Sequence, residues 1–239
     1  MTKDKSSSLV VHQNDSLARV ERRITLTNKL LSTIDETVTD IDGNVYKTVK
    51  IGDQVWMAEN LKVTHFRNGD PIPTGYSDDD WANLSEGAFC FYNDEQKNID
   101  IYGNIYNWYA VSDKRGISPE GWHVPSYEEW KKLFDFFEDS VCSQLAGNAN
   151  LWENVRFQNA GADLRSNPKF GLSKFNILPG GERDWHYHFT GIGFRSIFWA
   201  HYGHRTWGFT ISQNNSGFDG HPVFLNGKLS GKSIRCLKD

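Results

Sequence analysis

Apolar and polar residues alternate most regularly between residues 45 and 57. This period of two predicts β-strands over residues 46–51 and 54–57, and Gly52-Asp53 between them predicts a tight hairpin turn. Just ahead, Asp40-Ile41-Asp42-Gly43-Asn44 predicts another turn, because Asp, Gly and Asn favour turn positions. The run is similar to the start of a calcium loop, but the bidentate Glu that such a loop requires does not follow.

A helical period is clearest over residues 127–139, where the apolar positions recur three and four residues apart. Ser126 is suited to the N-cap, and Glu129, three residues on, completes a capping box. The predicted buried face consists of Trp130, Leu133, Phe134 and Phe137. A weaker second helix is predicted over residues 141–146. Residues 67–100, with their Pro, Gly and acidic residues, are expected to form loops, and Asp78-Asp79-Asp80 is expected to be solvated or to cap a helix.

Beyond residue 160 the segments are short, aromatic and interrupted by glycine, which is typical of a sheet that carries long loops. Aromatic residues make up 14% of the 239 residues, with 21 Gly and only 2 Met, and this composition favours an α+β domain over a helical bundle. Strand-like spacing predicts that five rings fill the core, namely Phe189, Phe194, Phe198, Trp199 and Phe209.

The N-terminal residues 1–36 differ from the rest and are predicted to be an extension ahead of a domain over residues 37–239. Residues 1–8 are expected to be disordered, and residues 9–34 to contain a short β element around a polar turn. This piece is too small to fold alone. We therefore expect it to pack on the main domain or on a partner protein.

Charge and composition exclude several classes of protein. The net charge of −4 and pI of about 6.1 provide no general basic field for nucleic acid. The sequence shows neither the apolar run of a secretory signal nor a stretch long enough to span a membrane, so a cytoplasmic protein is expected, or one carried on a phage particle. Three cysteines do not describe a disulfide framework.

Several ordered motifs resemble the Fibrobacter succinogenes major paralogous domain family. They are residues 40–61 (DIDGNVYKTVKIGDQVWMAENL), 102–110 (YGNIYNWYA), 121–130 (GWHVPSYEEW), 198–199 (FW) and 233–239 (SIRCLKD). The resemblance covers about residues 37–239. It implies a C-type-lectin-like fold of the formylglycine-generating-enzyme type, with few helices, small twisted antiparallel sheets and long loops, and a ligand face built from C-terminal loops. The tryptophans in these blocks, Trp56, Trp108, Trp122 and Trp199, are expected in the core. His123 is expected to be a hydrogen-bonded structural residue.

The best-known chemistry of that fold is implied only weakly here. A formylglycine-generating enzyme needs a nearby pair of cysteines that bind copper, whereas the C-terminal region offers only Cys236, an expected buried residue of the last strand. No phosphate loop, nucleophile elbow or zinc motif is present. His186-Tyr187-His188 and His201-Tyr202-Gly203-His204 could supply metal ligands, but no obvious third ligand is near either pair. We therefore expect a protein without catalytic activity, metal or cofactor.

Three loop-like clusters in residues 184–228 combine Tyr, Trp, His, Arg and Asn with Gly or Ser, a mixture typical of antibody binding surfaces. An exposed binding face is favoured over a core role, because buried His and Arg need partners. The predicted ligand-binding residues are Asp184, Trp185, His186, Tyr187, His188, His201, Tyr202, His204, Arg205, Trp207, Asn214, Asn215, Phe218, Asp219 and His221.

The resemblance also implies a source for this variety, since some proteins of this fold are targets of diversity-generating retroelements. Randomised adenines turn Asn codons of the AAY type into NNY codons, which exclude Gln, Lys, Glu, Met and Trp. The His, Tyr, Arg, Phe and Asp residues of the predicted face are all allowed outcomes. The favoured ligand is therefore a protein. A carbohydrate-binding module, in which Trp185, Tyr202 and Trp207 would stack on sugar rings, is the alternative, followed by an enzyme of the formylglycine-generating type.

Overall fold

The structure is a computed structural model that describes residues 36–137, 139–153, 163–203, 205–212, 219–222 and 225–239. Within these ranges the fold is mixed α+β, with short helices and small, mainly antiparallel sheets, so the α+β part of the prediction is confirmed. The predicted extension, except for Glu36, lies outside the described residues.

The strands form two five-stranded sheets and one two-stranded sheet, joined by short helices and long loops. The strands are β1 (Thr37–Thr39), β2 (Val45–Ile51), β3 (Gln54–Met57), β4 (Phe89–Cys90), β5 (Ile105–Tyr106), β6 (Trp122–His123), β7 (Gly180–Arg183), β8 (Phe189–Ile192), β9 (Arg195–Tyr202), β10 (Arg205–Ser212), β11 (Asp219–Pro222) and β12 (Leu237–Lys238). The α-helices are α1 (Asp78–Ala82), α2 (Lys97–Tyr102), α3 (Trp108–Val111), α4 (Tyr127–Asp135) and α5 (Val141–Leu145). Short 3₁₀ turns occupy Tyr92–Asp94, Ala149–Leu151, Leu164–Ser166 and Leu225–Leu229.

The first sheet has the strand order β1-β2-β3-β12-β6, so the C-terminal strand joins strands from the beginning of the domain. The second has the order β11-β10-β9-β7-β8, in which β7 and β9 run parallel and the other neighbours antiparallel. The predicted hairpin is the β2–β3 pair, and Gly52 adopts the positive φ of 62° that its turn requires.

The predicted turn ahead of β2 is confirmed, and the Asp40 carboxylate organises it. That carboxylate accepts hydrogen bonds from the backbone N–H groups of Asp42 and Asn44 at 3.0 and 2.9 Å, and from the Tyr46 hydroxyl at 2.5 Å. Its oxygens are therefore engaged by the turn itself, as in an Asx-turn.

Helix α4 begins as predicted. The Ser126 hydroxyl accepts from the Glu129 N–H at 3.2 Å, and the Glu129 carboxylate accepts from the Ser126 N–H at 2.7 Å, which completes the capping box. The helix ends at Asp135, four residues before the predicted end. Its predicted apolar face is buried, and the Trp130 ring stacks on Phe209 of β10 with ring centroids 4.9 Å apart. This face therefore attaches the helix to the second sheet.

Most of the predicted core is confirmed, with one error. Trp56, Trp108, Trp122 and Trp199 are all buried, as are Phe198 and Phe209. Phe189 is only partly buried, and Phe194 is 46% exposed. Phe194 immediately follows Gly193 in the turn between β8 and β9 and precedes β9, so the alternation that buries Phe198 does not extend to it.

The prediction of loops for residues 67–100 was too simple. This region contains α1, α2 and β4, all shorter than seven residues, and elements of this length leave almost no periodicity in a sequence. The acidic run is exposed at the start of a helix, which agrees with its prediction as a solvated or helix-capping stretch. Ser77 is the N-cap of α1, and Asp78, Asp79 and Asp80 form its first turn, where carboxylates favour the helix dipole.

Arg235 lies fully buried between the two large sheets and forms no ion pair with a described carboxylate. Its guanidinium donates to the Asn60 side-chain oxygen from Nε at 3.0 Å and from Nη2 at 2.6 Å, and to the Phe175 carbonyl at 2.6 Å. It also lies over the rings of Phe175 and Phe198. Burial lowers the pKa of this guanidinium to about 9, so it stays charged at neutral pH.

Gly181 of β7 allows a test of the packing beneath the candidate site described below. Its φ is 68°, and a Cβ there would meet the Thr190 carbonyl and lie 2.7 Å from the Tyr92 ring. We expect Gly181→Ala to lower the free energy of unfolding by about 3 kcal/mol or more, because overpacking adds to the cost of a positive φ. Chemical denaturation provides the measurement.

Gly43 supplies the matched control, since its φ is 82° and a Cβ there would meet nothing within 4 Å. Gly43→Ala should cost only the conformational part, about 1–2 kcal/mol. Equal losses for the two variants would contradict the packing described around Gly181.

Candidate binding site at the aromatic end

Two turns with exposed aromatic side chains lie at the same end of the second sheet. β7 and β9 run parallel, with Gly181 paired to Ser196, so the turn over residues 184–188 leaves β7 in the direction in which β9 continues to Tyr202. In that register Arg183 is level with Phe198, four positions before Tyr202. We call this end, with its residues 184–188, 201–203 and Tyr127, the aromatic end.

The turn over residues 184–188 is held by its first residue. The Asp184 carboxylate accepts from the N–H groups of His186 and His188 at 2.8 and 3.1 Å, and the Asp184 N–H donates to the His188 carbonyl at 2.9 Å. Tyr187 has a φ of 70° and packs partly buried against the third core cluster. Asp184 and Tyr187 therefore shape the turn, while Trp185, 58% exposed, and the two histidines lie outside.

A buried arginine, Arg183, which was not among the predicted site residues, holds the backbone of this turn from the protein interior. Arg183 is 1% exposed, donates from Nε to the Tyr187 carbonyl at 2.9 Å and forms an ion pair with Asp78. Its guanidinium lies 4.4 Å from the Trp81 ring centroid. No local motif marks this residue, because Asp78 and Trp81, which hold its guanidinium, are more than 100 positions away along the chain.

The second turn carries a cluster of three rings. β9 and β10 pair over eight positions, and the last pair of this hairpin is Tyr202 with Arg205. The rings of Tyr202, Trp207 and Tyr127 lie 5.2 Å apart in each pair, tilted by 56–76°. Tyr202 is 40% exposed, and the other two are partly buried. The indole N–H of Trp207 has no hydrogen-bond partner in the described part of the chain.

His201 belongs to the opposite face of β9, because neighbouring side chains of a strand alternate. It pairs with the buried Thr206, and its ring lies 5.0 Å from that of Trp108. Burial lowers the pKa of His201, and the nearby His123 lowers it further. The predicted His201–Tyr202 pair is therefore divided between an inner and an outer face.

The first histidine pair does not have the geometry considered for a metal, and His204 of the second pair lies outside the described residues. Residues 186–188 form a turn, so His186 and His188 do not take alternate positions on a strand. No group of three or more His, Cys, Asp or Glu with a metal-binding arrangement occurs among the residues that the structure describes.

The third predicted cluster, residues 214–221, comes after β10 in the chain. β10 is antiparallel to β9, so Ser212, where β10 ends, pairs with Arg195 at the far end of the sheet from the aromatic end. β11 starts with Asp219 opposite Thr210, and His221 pairs with Gly208. His204, Asn214, Asn215 and Phe218 lie outside the described residues, and the structure gives Arg205, Asp219 and His221 only a backbone position.

His123 links three elements beside His201. Its Nδ1 lies 2.6 Å from Asp239 Oδ1 and its Nε2 lies 3.1 Å from Glu129 Oε1. The hydrogen bond to Glu129, followed by that to Asp239, raises the pKa of His123, and the same pairing with His123 lowers the pKa of Glu129 to about 2. The expected structural role of this histidine is confirmed.

The model of the Fibrobacter succinogenes major domain family matches residues 49–238. The chain belongs to this family. Searches of curated proteins and of solved structures found no match. In this Fibrobacter succinogenes major domain, no described helix combines the length and the apolar character needed to cross a bilayer.

The pairing of His123 predicts how the stability of this domain depends on pH. Because the folded pKa of His123 is raised, its contribution is present below the ordinary value of about 6.5 and is lost as the pH rises through the folded value. The Glu129 contribution is present above its ordinary value and is lost as the pH falls toward 2. Both contributions are present between the ordinary pKa values of Glu and His, about 4.5 and 6.5. We therefore expect His123→Gln to destabilise the protein most in this pH range, and least at alkaline pH.

Denaturant midpoints measured across the pH range provide the test, with His186→Gln as a control on an exposed turn. A His123→Gln curve that runs parallel to the wild type at every pH would contradict the pairing.

Proposed function

We propose that this protein binds a ligand without catalysing a reaction, and that the aromatic end is its binding surface. One observation carries the proposal: Trp185 and Tyr202 are exposed where the parallel strands β7 and β9 of one sheet end, and hydrogen bonds hold the backbone at both places. Arg183 fixes the first turn, and the ladder of β9 and β10 fixes the second.

Such an arrangement favours binding for two physical reasons. Aromatic side chains supply a large contact area with few rotatable bonds, and they dominate the energetics of many interfaces. Turns that are already ordered lose little conformational entropy when a ligand arrives. Exposed aromatic rings on supported turns therefore suit recognition better than they suit folding.

A protein ligand is favoured over a carbohydrate by the tilt between the rings. Tyr127, Tyr202 and Trp207 meet at 56–76°, so they offer edges and a convex cluster instead of one flat platform. Trp185 is the observation that favours the carbohydrate alternative, because its ring is 58% exposed, although the His186 ring covers part of it with centroids 3.3 Å apart.

We also propose that the exposed turn positions are diversified, as in the targets of diversity-generating retroelements. His186, His188 and Tyr202 suit this role, since each is exposed and of a residue type that NNY codons allow. Tyr187 and His201 suit it less well, because the first has a positive φ and the second is half-buried against Trp108. We therefore expect fewer diversified positions than the residue types alone would allow.

The burial of the cysteines supports the absence of oxidase chemistry of the formylglycine-generating type. Cys90, Cys142 and Cys236 are free and belong to three different core clusters. Burial raises the pKa of each thiol to about 12. Copper binding and nucleophilic chemistry need an accessible thiolate, and usually two of them together.

Substitution of the two exposed anchors tests the binding surface. We expect Trp185→Ala and Tyr202→Ala each to weaken ligand binding by about 2 kcal/mol or more, as anchor residues do. Affinity for a captured and identified protein ligand is the measurement. Trp185→Ala should leave the thermal midpoint almost unchanged, since exposed substitutions usually stay within about ±0.5 kcal/mol.

Leu172→Ala is the matched control, because Leu172 is 55% exposed and lies outside the aromatic end. Loss of binding in this control, or full binding by both anchor variants, would place the ligand elsewhere.

Diversification predicts a genomic arrangement. A reverse transcriptase gene should lie nearby, with a near-repeat of the 3′ end of this gene that differs at adenines. Those differences should fall at His186, His188 and Tyr202 more than at Tyr187 and His201. Sequencing of the locus tests this, and a locus without such a repeat would remove diversification while leaving ligand binding in place.

A further inference from the structure

A polar groove lies where the first sheet meets two long loops, and none of its lining residues belongs to the aromatic end. It has two connected parts, of about 200 and 480 Å³, which share Glu59, Asn148 and Asn176. Together they fall in the range of small-molecule sites, roughly 300–1,000 Å³.

The groove contains polar groups that the fold leaves unused. The side-chain amides of Asn148 and Asn176 make no hydrogen bond with described residues, and the ammonium groups of Lys47, Lys62 and Lys174 make no ion pair with them. Asn60, by contrast, is fully engaged, since its oxygen accepts from Arg235 and its amide donates to the Tyr102 carbonyl at 2.8 Å. Unused donors and acceptors in a concave site are available to a ligand.

The charges around the groove do not balance. Among the described lining residues, the cationic ones are Lys47, Lys62, Lys174 and the buried Arg235, and the carboxylates are those of Glu59 and Asp100. Glu59 already accepts from the Lys47 N–H at 2.7 Å. A buried cation without a direct ion pair is costly, so a negative group placed in the groove would be favoured.

The backbone around the groove is built for close approach. Asn148 and Asn176 have φ values of 44° and 58°, in the left-handed region that Asn tolerates better than most residues. A Cβ on Gly147 would collide with the Asn176 side chain. The groove is therefore lined at these positions by backbone conformations that favour Asn and by a glycine that leaves room for the Asn176 side chain.

The other wall is apolar, with Ile99, Ile101, Leu151 and Leu178 around the smaller chamber.

We infer that the groove binds an acidic sugar, that is, a polyhydroxylated ring that carries a carboxylate. The amides match the hydroxyl groups, the ammonium groups match the carboxylate, and the aliphatic wall matches the C–H face of the ring.

Titration calorimetry with the full chain tests this inference. Glucuronate and galacturonate serve as probes, with glucose, galactose and acetate as controls that lack either the carboxylate or the ring. We expect saturable binding of a uronate, at least about tenfold tighter than that of the matching neutral sugar, and weakened by 1 M salt because salt screens the charges.

Three charge variants locate the site by the sign of their effects. Lys62→Gln should weaken uronate binding about threefold or more, the worth of one partly exposed ion pair. Asp100→Asn should strengthen it, because it removes a like charge. Lys114→Gln, on an exposed loop outside the groove, should change nothing.

Equal affinity for uronate and neutral sugar would overturn the inference, as would the absence of saturable binding at millimolar concentration or uronate binding that ignores Lys62 and Asp100. Trp185→Ala and Tyr202→Ala should leave uronate affinity unchanged, so a sugar that binds at the aromatic end is recognised as a different result.

Discussion

The burial of Arg235 is the constraint on which the rest of the structure depends. One guanidinium joins the end of the chain to Asn60 beyond β3, to the loop at Phe175, and to Phe198 of the second sheet. A buried charge is tolerated only when its donors are satisfied, so each of these segments must reach its place together. The two large sheets are thereby fixed relative to each other, and both the aromatic end and the polar groove are positioned by that junction.

The elements that could be predicted from the sequence are those whose causes are local. The capping box of Ser126 and Glu129 lies within four residues, and the Gly52 turn lies between two alternating runs. The tryptophans of the family blocks are buried for a similarly simple reason, since a large apolar ring is costly to leave in water. The short elements α1 and α2 are too brief to show a helical period, so the cap at Ser77 alone does not predict α1.

The candidate site shows where such reasoning stops. The exposure of Trp185 and Tyr202 could be anticipated from the polar residues and glycine around them, but the parallel pairing of β7 with β9 could not, because β8 lies between these two strands in the chain. That pairing decides which turns share an end. The inward position of His201 follows from alternation along β9 once the strand is known, and Arg183 depends on partners far away in the chain.

The β9–β10 hairpin has a consequence for how this protein can change. Eight consecutive residue pairs fix the two strands independently of the segment that connects them. Loop-closure entropy grows slowly, by about 0.6 kcal/mol for each doubling of length. Insertions at this tip can therefore lengthen the protruding loop at small energetic expense, so that new shapes arise by changes of length as well as of side chain.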